Sequence, residues 1–135
     1  MAEIKSKTVV VEQSQMTLFT MFTNLEGLVA ALPEDKRKDI KVDGDTISAT
    51  YAGFTITFRI SEKIPWSKIS LQDVDAPFHF TLSVHMEPES LITRTKLYIS
   101  VDAELNFMMR TMLAPKIKEG LDQIVSAIAN GGILQ

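Results

Sequence analysis

One long helix is predicted near the end of the chain by the stretch NFMMRTMLAPKIKEGLDQIVSAIANGG, residues 106–132. Its apolar residues recur every three or four positions from Met109 to Ile128, which is the spacing of one broad helical face. Asn106 is a suitable N-cap, and the closing glycines permit the left-handed turn that commonly ends a helix. Pro115 should bend or restart the helix, because proline has no backbone N–H to donate. A helix of about 23 residues, roughly 35 Å long, can lie along a whole small sheet.

Most of the chain before this helix alternates between apolar and polar residues, the period of a strand with one buried face. Residues 78–86, FHFTLSVHM, show this most clearly, since Phe, Phe, Leu, Val and Met occupy every second position. Short connections rich in Gly, Asp and Pro separate the alternating runs, and such connections join antiparallel neighbours. A first strand is predicted over residues 3–13. Two short helices follow it, interrupted at Gly27 and ended by Pro33.

This order of elements predicts an α+β fold. About seven antiparallel strands form a curved sheet that grips the long C-terminal helix, and two short helices follow the first strand. The alternative is a cone-shaped sheet with its helices at the N-terminus, which the length of the last helix disfavours. Residues 1–135 are expected to form a single domain, since a chain of this length buries roughly 70% of the surface that it exposes when unfolded.

Composition excludes several classes of function. The absence of cysteine rules out disulfide scaffolds, thiolate zinc sites and thiol catalysis. With 14 Lys and Arg against 17 Asp and Glu, the net charge is −3, so we expect no nucleic-acid partner. No apolar run reaches the roughly 18 residues of a membrane span, and the first residues lack the hydrophobic segment of a signal peptide. We therefore expect a cytoplasmic protein.

Two segments carry a resemblance to a known family. They are VVVEQSQMTLFTMFTNLEGLVAALP, residues 9–33, and LAPKIKEGLDQIVSAI, residues 113–128. The first resembles a strand followed by an aromatic-rich helix that ends in Leu-Pro, and the second resembles the terminal helix, of the START-like (SRPBCC, helix-grip) superfamily. That superfamily includes polyketide cyclase-like and coenzyme Q-binding proteins. The resemblance covers nearly the whole chain, and it implies that a lipophilic molecule is held between the helix and the sheet.

The inward positions of the predicted strands define a candidate ligand site. Nearly all of them carry apolar side chains, whereas both histidines and the charged residues of the strands fall on the opposite parity. A pocket there would be lined by hydrocarbon with few hydroxyl groups. The candidate ligand-binding residues are Phe22, Tyr51, Phe54, Phe58, Phe80, Leu82, Thr95, Leu97, Met109, Met112 and Leu113.

The methionines at the start of the long helix allow two interpretations. Met108, Met109 and Met112 are flexible and polarizable, so they suit an irregular ligand as well as an irregular gap in a core. The inward phenylalanines leave the same alternative open, because their rings can fill the interior or line it. We expect the segment from Met109 to Met112 to face these phenylalanines.

The same pattern argues against catalysis. Proton transfer requires an inward acid or base, and the inward positions offer almost none. His79 and His85 lie six residues apart on one strand, roughly 20 Å, which is too far to share a metal ion. We interpret both as surface histidines. We therefore expect no catalytic residue, no metal and no cofactor.

The predicted function is non-catalytic binding or carriage of a small lipophilic molecule, with neutral ligands preferred over carboxylates. One alternative is a cyclase-like or isomerase-like enzyme that uses the same cavity, with Tyr51 or Thr95 as a hydrogen-bonding group. Another is a protein-interaction module that uses the outer face of the sheet, including Arg59 and His79. The sequence leaves the ligand's identity open, and it allows either a monomer or a weak dimer.

Overall fold

The computed structural model describes residues 2–30, 38–51, 54–76, 78–90 and 93–130. Within these ranges the chain forms eight strands and three helices. In chain order they are β1 (Ala2–Lys5), β2 (Val9–Val11), α1 (Gln15–Thr23), α2 (Leu25–Ala30), β3 (Ile40–Asp43), β4 (Thr46–Tyr51), β5 (Phe54–Ile64), β6 (Lys68–Asp75), β7 (Phe80–Pro88), β8 (Thr95–Ala103) and α3 (Phe107–Ala129).

The eight strands form one antiparallel sheet in the order β1-β8-β7-β6-β5-β4-β3, with β2 also paired to β8. The predicted α+β architecture, an antiparallel sheet with a long C-terminal helix, is confirmed. Pairing of β1 with β8 brings the start of the chain beside the last strand, so that α3 begins close to the N-terminal edge of the sheet.

The first predicted strand is divided in two, which is why the sheet has one strand more than expected. Ser6 causes the division. Its backbone N–H donates to the Ile99 carbonyl at 2.8 Å, while its side-chain oxygen accepts from the Ile99 N–H at 2.9 Å. The Ser6 hydroxyl thus takes the place of a backbone carbonyl in the hydrogen-bond ladder with β8. The next residue, Lys7, no longer pairs with that strand. The freed N–H of Lys7 donates to Asp122 Oδ1 on α3 at 2.7 Å, which ties the long helix to the sheet.

The two short helices separate at Asn24, so the predicted interruption at Gly27 is wrong. Asn24 has non-helical backbone angles, φ −101° and ψ 81°, and Gly27 lies inside α2. Upstream, the expected N-cap at Ser14 is present, since its side chain accepts from the Thr17 N–H at 3.1 Å. The predicted end of α2 at Pro33 lies outside the described residues.

The long helix α3 begins as expected, with the Asn106 side chain accepting from the Met109 N–H at 2.8 Å. Its 23 residues run without interruption through Pro115, so the helix does not restart there. Pro115 lies on the exposed side, where water can satisfy the carbonyl that lacks its usual N–H partner. The predicted closing glycines lie outside the described residues. Among the described helices, none is both long and apolar enough to cross a membrane.

The helices share the inner face of the sheet between them. Helix α3 packs against β1, β2 and β8, α1 packs against β6 and β7, and α2 packs against β3. From α3 the core receives Leu121, Val125 and Ile128, which meet buried residues of β8 such as Leu97. The long helix therefore lies over β1, β2 and β8, and the two short helices lie over β6, β7 and β3.

Candidate functional site: an apolar pocket between the helices and the sheet

A pocket of about 190 Å³ lies where the three helices meet above the inner face of the sheet. Every lining residue carries a hydrocarbon side chain, so the described part of the lining holds no charged or hydrogen-bonding group. The lining residues are Phe22, Leu25, Val29, Ile40, Ile47, Phe58, Ile69, Leu71, Leu82, Val84, Ile99, Ile124 and Ile128.

The floor of the pocket follows from the alternation of the strands. Ile69, Val84 and Ile99 are direct partners across β6, β7 and β8, so their side chains stand in one row. Leu71 and Leu82 form the next row. Partners in an antiparallel pair point to the same face of the sheet, which is why the apolar parity of three separate strands produces one continuous hydrocarbon floor.

The roof comes from all three helices. Phe22 lies in α1, Leu25 and Val29 lie in α2, and α3 contributes Ile124 and Ile128 from its C-terminal half. Four residues separate Ile124 from Ile128, so both project from the same helical face. Ile128 is buried, whereas Ile124 is 43% exposed. Ile124 therefore stands at the open side of the pocket.

An aromatic group closes the pocket on the side of the α3 N-terminus. Phe58 lines the pocket, and the Phe80 ring meets it edge to face at 6.1 Å between centroids. The Phe78 ring lies 6.0 Å beyond Phe80. Phe80 is buried and is not a lining residue. The inward phenylalanines thus divide between the two interpretations: Phe58 lines the space, and Phe80 fills the interior behind it.

A carboxylate lies next to this aromatic group. Asp73 stands opposite Phe58 in the sheet register. Its side chain, 7% exposed, accepts from the Phe80 N–H at 2.8 Å and contacts His79 Nδ1 at 2.9 Å. Burial alone would raise the pKa of Asp73, but the hydrogen bonds from Phe80 and His79 outweigh it, and the pKa is lowered. The ionised carboxyl is therefore occupied in joining β6 to β7.

The structure brings three of the predicted site residues into the lining: Phe22, Phe58 and Leu82. Thr95 and Leu97 have no exposed surface, and they lie in the packed core instead. The Thr95 hydroxyl donates to the Gln13 carbonyl at 2.8 Å, so it connects β8 to the segment before α1. The side chains of Tyr51 and Phe54 lie outside the described part of the structure.

The predicted orientation of the methionine segment is wrong for Met112. Met112 is 62% exposed, and Met108 is exposed as well. Met109 and Leu113 are half-buried, but neither lines the pocket. The physical reason is the position of the pocket, which lies under the C-terminal half of α3, whereas these residues occupy its first two turns. Met112 therefore neither fills the core nor lines the pocket.

Several lining residues were not among the predicted site residues. Ile47, Ile69, Val84 and Ile99 share the inward parity that the sequence shows, but parity alone does not distinguish a pocket wall from a packed core. Ile124 and Ile128 stand on the recognised apolar face of the long helix. The alternation in the sequence therefore predicts which strand residues face inward. Which of these inward residues border the pocket depends on where the helices lie.

The two histidines lie close to the pocket strands, His79 just before β7 and His85 within it. His79 is exposed, and its hydrogen bond and ion pair with Asp73 raise its pKa. His85 is half-buried rather than a plain surface residue. Its Nε2 is hydrogen-bonded to Ser100 Oγ at 2.8 Å, and its ring stacks on Tyr98 at 4.4 Å. Burial and then the nearby Lys68 charge lower the pKa of His85.

A second, larger space is an open surface groove of about 580 Å³ beside the break between β1 and β2. Lys7, Lys118, Glu119 and Asp122 give it mixed charge, and the Lys7–Asp122 hydrogen bond lies in it. Because the groove is open to water, it does not enclose a small molecule. The smaller apolar pocket is therefore the better candidate site.

The antiparallel sheet, the two short helices after the first strands and the long C-terminal helix define the START-like (SRPBCC) helix-grip fold. The resemblance found in the sequence is thereby confirmed at the level of the fold. No protein-family model matches the chain, and no curated protein matches it.

Solved structures are similar to the chain over nearly its whole length. A START superfamily protein from Mycobacterium smegmatis has a TM-score of 0.71 and 16% identity, with 95% of this chain and 94% of that chain covered. An uncharacterized protein from Bacillus thuringiensis has a TM-score of 0.73 and 13% identity, covering 97% and 98%. The Aha1 dimer from Colwellia psychrerythraea has a TM-score of 0.65 and 18% identity, covering 97% and 98%. At these identities the similarity concerns the fold.

Proposed function

We propose that the chain binds a small, neutral, lipophilic molecule in the pocket between α1, α2, α3 and the sheet, without converting it chemically. The observation that carries this proposal is the pocket itself, a space of about 190 Å³ lined by thirteen hydrocarbon side chains. Apolar cavities of comparable size stay dry and accept apolar guests. Transfer of an apolar molecule from water into such a space is favourable by roughly 25 cal/mol for each Å² of apolar surface removed from water.

The lining also supports a preference for neutral ligands. A carboxylate buried among these side chains would lose its hydration without gaining a cation or an N–H donor, and such a loss amounts to several kcal/mol or more. An alcohol or a hydrocarbon avoids this penalty, since its apolar part enters and a hydroxyl group can stay at the open side near Ile124. A neutral ligand should therefore bind more tightly than the acid with the same carbon skeleton.

The lining supports binding rather than catalysis for the same reason. A general acid or base must reach the reacting atom, and the described lining offers none. The enzyme alternative relied in part on Thr95, whose hydroxyl is already donated to the Gln13 carbonyl inside the core. The pocket therefore favours carriage or storage of a molecule over its conversion. We further propose that residues 1–135 act as one domain, because β1 pairs with β8 and connects the two ends of the chain.

Ligand binding is tested first on the protein as purified. Native mass spectrometry of freshly isolated protein should detect a co-purified lipophile. Displacement of a hydrophobic dye should then rank 1-decanol above decanoate at neutral pH. If neither compound displaces the dye and none raises the melting temperature, the proposal fails.

A matched pair of variants locates the binding site. Ile124→Trp places a large ring at the open side of the pocket, where the partial exposure of Ile124 keeps the effect on folding small. Met112→Trp makes the same addition on the same helix, but away from the lining. We expect Ile124→Trp to weaken decanol binding at least tenfold and Met112→Trp to leave it unchanged. Equal affinities in the two variants would place the ligand elsewhere.

A further inference from the structure

We infer that Phe58 limits the length of ligand that the pocket can enclose, and that the pocket encloses about eight to ten carbon atoms of a neutral molecule, in one ring or a short chain. This inference rests on the proposed function and narrows it to a size class. Three observations carry it: the volume of the pocket, the aromatic group at one side and the dense packing at the other.

The volume limits the ligand. A cavity of roughly 150 Å³ holds a benzene ring, so the 190 Å³ of this pocket corresponds to about eight carbon atoms enclosed at similar density. Pockets for larger, drug-sized ligands usually measure roughly 300–1,000 Å³. A long acyl chain or a sterol is therefore too large to be enclosed. One or two further carbon atoms of a chain can be accommodated at the open side.

Phe58 ends the pocket toward the N-terminus of α3. In its own row of the sheet, its neighbours are Ile47, which also lines the pocket, and Asp73, which is engaged with Phe80 and His79. The edge-to-face contact with Phe80 holds the Phe58 ring from behind. A chain that grows in this direction meets the ring rather than a gap.

The opposite side offers no space for extension. Leu18, Met86 and Leu97 have at most 1% of their surface exposed, and they pack in the same core cluster. Interiors of this kind are close-packed, and a void for additional carbon atoms would require several side chains to move. Only the Phe58 side can be lengthened by changing one residue.

A series of primary alcohols from about six to sixteen carbons measures the length limit directly. For the unaltered protein, affinity should rise about fourfold for each added methylene while the methylene is buried. It should then level off near eight to ten carbons, because further methylenes stay in water. Dye displacement gives the affinities, and thermal unfolding of each protein verifies that it is folded.

Phe58→Leu should move this limit to longer alcohols by about one carbon, the difference in volume between the two side chains. Phe58→Ala should move it by about four carbons if the variant folds. Phe78→Leu is the matched control, since it makes the same exchange within the aromatic group at a residue that does not line the pocket. The control should keep the original limit.

The outcomes separate the two proposals. If no alcohol binds to any variant, the proposed function itself fails. If alcohols bind but affinity rises steadily to sixteen carbons in the unaltered protein, or if Phe58→Leu keeps the original limit, Phe58 does not set the length and the binding function stands. A shift in Phe78→Leu equal to that in Phe58→Leu would also overturn the inference, because general loosening would then explain both.

Discussion

Two regions of the interior differ in how completely they are filled. Between α3 and strands β1, β2 and β8, side chains such as Val125 and Leu97 have no exposed surface. Between α2 and strands β3 to β7, equally apolar side chains surround a pocket. Both regions have the same alternating pattern on their strands. The difference lies in the helices. In the C-terminal half of α3, Leu121 and Val125 are buried in the first region, whereas Ile124 and Ile128 border the pocket together with α1 and α2.

This difference shows that apolar lining does not determine whether an interior is filled. A continuous helical face can insert side chains every three or four residues into the surface below it. Over the pocket, the side chains of α1, α2 and the C-terminal half of α3 line a space and do not fill it. Changes that add or remove volume should therefore affect stability more in the filled region than around the pocket.

Removal of volume should give the largest contrast. Leu97→Ala, in the filled region, should lower the free energy of unfolding by about 2–5 kcal/mol, because it opens a cavity in a close-packed core. Leu82→Ala, in the pocket, should lower it by only about 1 kcal/mol, since the half-buried side chain already borders empty space. Urea unfolding of both variants measures the two losses. Equal losses would mean that the regions are packed alike.

Added volume should lower stability in the filled region and weaken ligand binding in the pocket. Leu121→Phe, on the buried face of α3, should destabilise the protein by about 1–3 kcal/mol through overpacking. Leu82→Phe should change stability by less than about 1 kcal/mol, because the larger ring enters the pocket. Decanol binding should be weakened in Leu82→Phe and retained in Leu121→Phe. A strongly destabilised Leu82→Phe would show that the pocket is not free space.

The junction between the filled region and the sheet edge depends on Ser6. Ser6→Ala removes the acceptor of the buried Ile99 N–H, which should lower the free energy of unfolding by about 1–2 kcal/mol. Thr8→Ala is the control in the same connection, because Thr8 is exposed. Hydrogen exchange at the Ile99 amide should accelerate in Ser6→Ala only. Unchanged exchange there would indicate that another acceptor replaces the hydroxyl.

The smallest expected effects concern the two histidines beside the pocket strands, which should shift the pH dependence of stability in opposite directions. The pKa of His79 is raised from 6.5 by Asp73, so its contribution is fully present below about pH 6.5 and is lost as pH rises through the higher folded value. The pKa of His85 is lowered from 6.5 by burial, so the folded state becomes more stable as pH rises through this range.

Melting temperatures of His79→Gln and His85→Gln between about pH 5 and pH 8 test these signs. Relative to the unaltered protein, His79→Gln should show its greatest loss at the acidic end. Asp73 sets the lower end of the pH range over which the pair with His79 stabilises the protein. The pKa of Asp73 is lowered from 3.8, so its contribution to stability is present above about pH 3.8 and is lost as pH falls through the lower folded value. For His85→Gln the loss should grow toward the alkaline end. Parallel profiles for the two variants would contradict the assignment.

Much of the fold follows from local patterns. The alternation in residues 78–86 correctly placed Phe80, Val84 and Met86 on the buried face, and Asn106 was correctly assigned as the N-cap of the last helix. Phe22, Phe58 and Leu82 border the candidate pocket, and their role in ligand binding stays a prediction. These successes concern single elements, in which the period of the residues is the direct consequence of one buried face.

What the sequence by itself determined was therefore the order of the elements, the apolar face of each and the START-like fold that they build. The tertiary structure alone decided that α3 covers β1, β2 and β8, that Met112 faces outward, and that Asp73 and Ser6 join neighbouring segments. The physical reason is that periodicity reveals which face of an element avoids water, but not which neighbour covers that face. Whether the covered space is filled depends on distances between elements that are far apart in the chain.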